Sequence, residues 1–233
     1  EAFSEYSSLM TIKNTGKTPM KMREMLKYDH DRYLRGRSSE REKELALYKV
    51  ENQSYIHYGK GSIILYALQD YIGEDKVNSS MKSFLEKYRY KTPYPTSLDF
   101  LSILESKIPD SLSYLIDDWF KEITLYDNRL KKANAKKLEN GKYEVKIQIE
   151  ASKIKADSLG NEIEVNLNEW IDIGIFSDID EKELIYQKRV KVDDSLMNFT
   201  MVVDTIPLKA GIDPRHLLID RVFDDNIKAI TLE

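Results

Sequence analysis

The sequence predicts an α+β protein in two parts, helices first and an antiparallel β-sandwich of immunoglobulin-like type second. Three observations carry that expectation. Apolar residues recur at helical spacing up to about Ile123, alternate with polar residues from about Asn128, and are interrupted in the second half by closely spaced turn signals. The change of period puts a junction between Ile123 and Lys131, with a helical domain over residues 1–125 and a β domain over residues 126–233.

Residues 2–12 carry Phe3, Tyr6, Leu9 and Met10 on one face, and Asn14 and Gly16 end that helix. Thr18 followed by Pro19 is an N-cap with proline at the first helical position; the stripe Met22, Met25, Leu26 and Tyr33 takes the second helix to about Leu34. A charged link, Arg35 to Ser39, leads through a short helix with Glu42 and Glu44 to a long helix starting near Ser54. Ile56, Ile63, Ile64, Ala67, Leu68 and Ile72 make it apolar on a broad face, and Gly73 stops it. Val77, Met81, Phe84, Leu85 and Tyr88 define the next helix, broken by Thr92-Pro93-Tyr94-Pro95. Thr96 with Asp99 resembles a capping box ahead of Leu98, Leu101, Leu104 and Ile108, and Pro109-Asp110-Ser111 starts a last helix running to Ile123.

From Asn128 the period is two. Asn140-Gly141 is a hairpin signal, followed by Tyr143, Val145, Ile147 and Ile149 alternating with charged and polar residues. Ile163, Val165 and Leu167 alternate likewise, Ile171, Ile173 and Ile175 continue, and Leu184–Val192 and Met197–Val203 add two strands, giving about seven in all.

The 233 residues are 41% hydrophobic and 33% charged, and no run approaches the roughly 18 apolar residues of a membrane span. Lys+Arg 36 against Asp+Glu 40, well mixed, leaves a net charge of -4 and no phosphate-tracking surface, so nucleic acid is not an expected partner. With no cysteine, carboxylate and histidine are the strong metal ligands on offer. His30, His57 and His216 are scattered without a His-x-x-x-His pair, which argues against a self-contained zinc site.

Two segments carry the chemistry: Glu1-Ala2-Phe3-Ser4-Glu5-Tyr6 and Tyr55-Ile56-His57-Tyr58-Gly59-Lys60-Gly61. In this order and spacing they resemble the Glu-containing and Tyr-x-Lys-Gly segments of aminopeptidase N-like zinc metallopeptidases, the gluzincin family. Arg32 to Arg37, Tyr94 to Ser97, Ile123 to Asn128 and Gly211 to Pro214 extend the likeness, which is to peptidase domains fused to bacterial transporter-like permeases. The sequence departs from the family at Ala2, where glycine is usual, and in having no His-Glu-x-x-His.

The resemblance implies that residues 1–125 form the all-helical C-terminal half of a thermolysin-like catalytic domain. Glu1 would be the third zinc ligand, and Tyr58 the phenol that donates a hydrogen bond to the tetrahedral intermediate. It implies that the parent removes N-terminal residues from peptides, with zinc completed by the rest of the catalytic domain, and that the parent is membrane-associated. The chain by itself is then expected to be inactive and to hold zinc poorly, since one carboxylate does not replace two imidazoles. The alternative is a non-catalytic interaction module, a degenerate peptidase domain of a transporter-associated protein.

Each assignment has a plainer counterpart. A glutamate near a helix start ordinarily complements the helix dipole; Glu5, one turn on, competes with Glu1 as ligand, though the Glu-x-x-x-x-Tyr register favours Glu1; and Tyr58, one of 15 tyrosines, has a core residue as its plainer reading. His57 is expected on a different helical face from Tyr58. Arg32, Arg35 and Arg37 read as a solvated ion-pair surface or a docking point for a substrate carboxylate. Asp178, Asp180 and Glu181, a loose match to a calcium loop, read as a hairpin turn.

Overall fold

Helices fill the first half and strands the second, in a computed structural model that describes residues 1–233. The helices are α1 (Ala2–Asn14), α2 (Pro19–Ser39), α3 (Gly61–Ile72), α4 (Glu74–Tyr88) and α5 (Ser97–Glu105). A last helical run, Asp110 to Lys121, passes from 3-10 through α to π winding. The strands are β1 (Ile123–Lys137), β2 (Tyr143–Ala156), β3 (Glu162–Val165), β4 (Glu169–Phe176), β5 (Leu184–Val192), β6 (Leu196–Val203), β7 (Lys209–Ile212), β8 (Ile227–Ala229) and β9 (Thr231–Leu232). No helix is long and apolar enough to cross a membrane. Two compact units divide the chain: residues 1–16, 28–124 and 156–161 form the first, and residues 17–27, 125–155 and 162–233 the second.

Local chemistry sets the helix ends. The Thr18 hydroxyl accepts the Lys21 N–H at 3.2 Å, Gly16 and Gly73 take the positive φ values (86° and 97°) that terminate α1 and α3, and Thr96 and Asp99 form a capping box on α5. Helix α2 runs beyond Leu34 to Ser39 because Gly36 serves packing: a Cβ there would stand 2.3 Å from the Tyr55 Cβ. Ser38 and Ser39 remain helical by donating their hydroxyls to the Arg35 carbonyl. The short helix expected around Glu42 and Glu44 does not form. Glu44 is instead buried in non-helical backbone, accepting the Tyr33 hydroxyl at 2.6 Å and the Arg37 Nε–H at 2.8 Å, and one 3-10 turn follows at Leu47–Lys49.

The core of the first unit is α3, buried almost all round through Ile63, Ile64, Leu65, Ala67 and Leu68, with α1 and α4 packed on it and α5 on α4. Each of these isoleucine and leucine side chains contributes about 1.5–3 kcal/mol by leaving water. Leu98, which the α5 pattern assigns to the buried face, is 53% exposed, while Phe100, Leu101 and Leu104 carry the packing.

The second unit holds two sheets. One has the order β3-β2-β1-β9 with β6 also pairing β2, and the other the order β5-β4-β7-β8. The Asn140-Gly141 turn joins β1 to β2, with Gly141 at φ 85°. Val145, Ile147 and Ile149 on β2 are buried as their alternation requires. Ile163 is 66% exposed, because β3 is a four-residue edge strand exposed on both faces. Central β4 is buried on both faces, so Asp172 lies inside and is neutralised there by Arg189 (2.9 Å) and Arg215 (2.6 Å).

Candidate functional site

Three glycines bring the two sequence segments together in the first unit. The turn that carries Tyr58, Tyr55–Lys60, is wound as a π-helix, a conformation frequent at functional positions. A Cβ on Gly59 would stand 3.2 Å from the Asp29 carbonyl oxygen and from the Tyr33 amide nitrogen, so α2 crosses this turn at backbone contact. A Cβ on Gly61 would stand 2.7 Å from the Ala2 Cβ, so the first turn of α1 crosses at the same close range. Gly36 admits Tyr55 on the other side of the turn. Glycine within a helix costs about 1 kcal/mol against alanine; here that cost is offset by contacts that place Glu1 beside the Tyr58 turn.

The side chains around this junction are Glu1, Asp29, Arg32, His57 and Tyr58. Glu1 is exposed and Tyr58 and His57 are half-buried. The His57 and Tyr58 rings meet edge-on at 4.7 Å between centroids, so His57 does not lie apart from Tyr58 as the sequence suggests. Burial holds the His57 imidazole below its ordinary pKa, Glu1 opposing and Arg32 adding to the shift. The Arg32 guanidinium lies over the Tyr58 ring at 4.5 Å from its centroid. Burial pushes the Asp29 carboxyl up to about 6 against the stabilising hydrogen bond from Ser62; the Glu5 charge raises it further.

The three arginines read as one cluster separate. Arg35 pairs with Asp31 at the surface and Arg37 with buried Glu44, which leaves Arg32 alone facing Tyr58. Asp178 accepts the Lys182 and Glu183 N–H groups and Asp180 pairs with Lys182, so this acidic run is a hairpin turn between β4 and β5.

Two supports of the Tyr58 turn escape sequence reading. Tyr55 is not a cleft residue: it is buried, stacked on Tyr33 at 6.1 Å, and locks the turn to α2. Lys60 is 1% exposed, and its ammonium donates to the Glu122 carbonyl at 3.0 Å. The sequence signal was present in Gly59-Lys60-Gly61, since two glycines flanking a lysine inside a helical stretch require a packing reason. Next to the junction lies an open pocket of about 370 Å³, mostly apolar, with Phe3, Phe84, Phe100 and Phe120 on its walls and Glu1 and His57 among its lining residues.

The donor set does not by itself make a zinc site. Glu1 offers one carboxylate, and nowhere do three histidine, aspartate or glutamate side chains converge as metal ligands would.

No protein-family model matches the sequence, and no curated protein matches it. Among solved structures, the chain is similar to Legionella pneumophila aminopeptidase A, crystallised in complex with aspartic acid, with a TM-score of 0.42 and 16% identity. The match covers 76% of this chain and 18% of that one, so the chain spans about a fifth of the length of that structure.

Proposed function

We propose that this chain is the C-terminal part of an aminopeptidase N-like zinc metallopeptidase: the helical half of a thermolysin-like catalytic domain, followed by an immunoglobulin-like sandwich. The parent, on this reading, hydrolyses N-terminal residues from peptides. The reading rests on the Glu1 and Tyr58 segments, and one observation carries it. The Ala2 side chain fills the space beside Gly61, so two segments 57 positions apart meet. Zinc peptide hydrolysis needs metal ligands and a donor for the developing oxyanion close together.

Glu1 would be one ligand of the metal; two imidazoles and a base must come from a His-Glu-x-x-His helix outside residues 1–233. A zinc ion held by such a set would supply Lewis-acid polarisation of the carbonyl and an activated water. This chain's own contribution would be the Tyr58 hydroxyl, as donor to the oxygen that gains charge, on a turn held by Tyr55 and Lys60.

The test is kinetic. In the parent enzyme, Tyr58→Phe is expected to lower kcat by about 10²–10³ with KM and zinc content little changed, because the lost bond strengthens only as charge develops. A near-normal kcat would leave Tyr58 as a packing residue and overturn its assigned role. The isolated chain is expected to hydrolyse no aminoacyl anilide with added zinc. Zinc-dependent turnover abolished by Glu1→Gln would contradict the dependence on outside ligands.

A further inference from the structure

We propose that Arg32 is the docking point for a ligand carboxylate beside Tyr58, so that the site takes short anionic peptides, the carboxylate being the free C-terminus or an acidic side chain. This rests on the peptidase reading of the site and adds its ligand class.

Arg32 is the one member of the arginine run whose donors are uncommitted. Arg35 pairs with Asp31 at 3.6 Å and Arg37 with Glu44 at 2.8 Å, whereas Arg32 makes no hydrogen bond or ion pair: it lies over the Tyr58 ring, and its charge also acts on Asp29 and His57. Asp29, three residues earlier and buried, feels the Arg32 charge, but no ion pair joins the two. The contact with the ring uses none of the guanidinium N–H groups in a hydrogen bond, so they remain to receive a carboxylate through two parallel hydrogen bonds. The aromatic face also fixes the long side chain, so less rotamer freedom is lost when an anion binds.

The distances suit a short ligand. The guanidinium lies 4.5 Å from the centre of the ring whose hydroxyl is the proposed donor to the scissile carbonyl. In a dipeptide the terminal carboxylate follows that carbonyl by one residue, a span of about 3.8 Å. A free C-terminus one residue beyond the reacting bond therefore falls within reach of Arg32, as does an acidic side chain at the same residue. A longer peptide with no acidic side chain at that residue places a neutral amide there.

The experiment uses the 233-residue chain, without turnover, and reads binding by NMR titration and calorimetry. Three probes are compared: leucyl-glycine, leucyl-glycinamide, and leucyl-aspartate blocked as its α-amide. The wild-type chain is expected to bind at least one carboxylate-bearing probe about tenfold more tightly than leucyl-glycinamide. Preference for leucyl-glycine names the C-terminus as the source, and preference for the blocked aspartyl peptide names the side chain. Arg32→Gln is expected to erase the preference, and Arg32→Lys to recover only part of it, since an ammonium cannot make the forked pair. Tyr58→Phe keeps the ring under Arg32 and is expected to keep the preference. Equal affinity for all three probes, no binding of any probe at millimolar concentration, or a preference that survives Arg32→Gln would each overturn the proposal. A failed binding preference with kcat still lost in Tyr58→Phe parent enzyme removes Arg32 alone; an intact preference with normal kcat in that variant removes the role assigned to Tyr58 and leaves Arg32 standing.

Discussion

Lys60 carries its ammonium where no water reaches it, and burial pulls its pKa down to about 8 from the 10.5 of a free lysine. Between those values the folded chain has released a proton that the unfolded chain still holds, so this residue makes the protein more stable as pH rises from 8 toward 10.5. Lys60→Met should remove that slope, and the difference in denaturation midpoint between the two proteins, followed from pH 7 to 10, measures it; a constant difference excludes the effect. Asp213 has the opposite sign. Its carboxylate accepts the Leu217 and Leu218 N–H groups at 3.0 and 2.9 Å in a fully buried turn, and burial raises its pKa to about 8. From pH 4 to 8 the folded chain retains a proton that the unfolded chain has lost, so stability from this group falls as pH rises. Asp213→Asn should flatten that decline, and urea titrations at pH 5 and pH 8 would reveal it. Tyr33→Phe deletes a donor to the buried Glu44 carboxylate and is expected to cost about 2 kcal/mol in the same assay at pH 7.

Among the elements, the Tyr55–Lys60 turn depends on glycines more than on its aromatic residues. Gly61→Ala should push α1 away from α3, since the new methyl would stand 2.7 Å from the Ala2 Cβ. The expected loss is about 1–3 kcal/mol despite the better helix propensity of alanine. In the parent enzyme the loss of kcat should exceed that of Gly16→Ala, where a Cβ meets nothing within 4 Å. Equal effects at the two positions would mean that the α1 crossing does not position the site. Helix starts and stops were legible in the sequence because Thr18, Gly73 and the Thr96–Asp99 box act within one turn of chain. The run from Arg35 to Ser39 was misread as a link for the same reason: Gly36 signals a break locally, and only the distant Tyr55 makes it a helical packing position. Of the site, the Glu1 and Tyr58 segments were legible through motif spacing. The Arg32 stack was not, because three arginines of similar composition diverge according to which acid each one meets in space.

For the whole molecule, the change from helical to alternating pattern falls where helices give way to strands, but residues 17–27 group with the strands that follow a hundred positions later. Within that unit Arg23 donates to the Pro214 carbonyl at 3.0 Å, pairs with Glu181 at 2.9 Å and lies over the Phe176 ring. A chain cut to residues 125–233 lacks these contacts. Adding a peptide of residues 17–39 should raise its melting temperature by about 5 °C or more, the shift that each kcal/mol restored gives in a domain of this size; an unchanged melting temperature would show the segment to be dispensable.

That same segment governs the order in which the chain can mature. Met20, Met22 and Leu26 are buried in the finished protein, yet the partners of neighbouring Arg23 are synthesised last, up to 191 positions later. Until they arrive, the Arg23 guanidinium has none of its native partners. Closing so long a loop is slow compared with forming local helices. Refolding is therefore expected to show a fast helical phase followed by a slower one limited by capture of residues 17–27, and the waiting interval is when this protein is most open to aggregation.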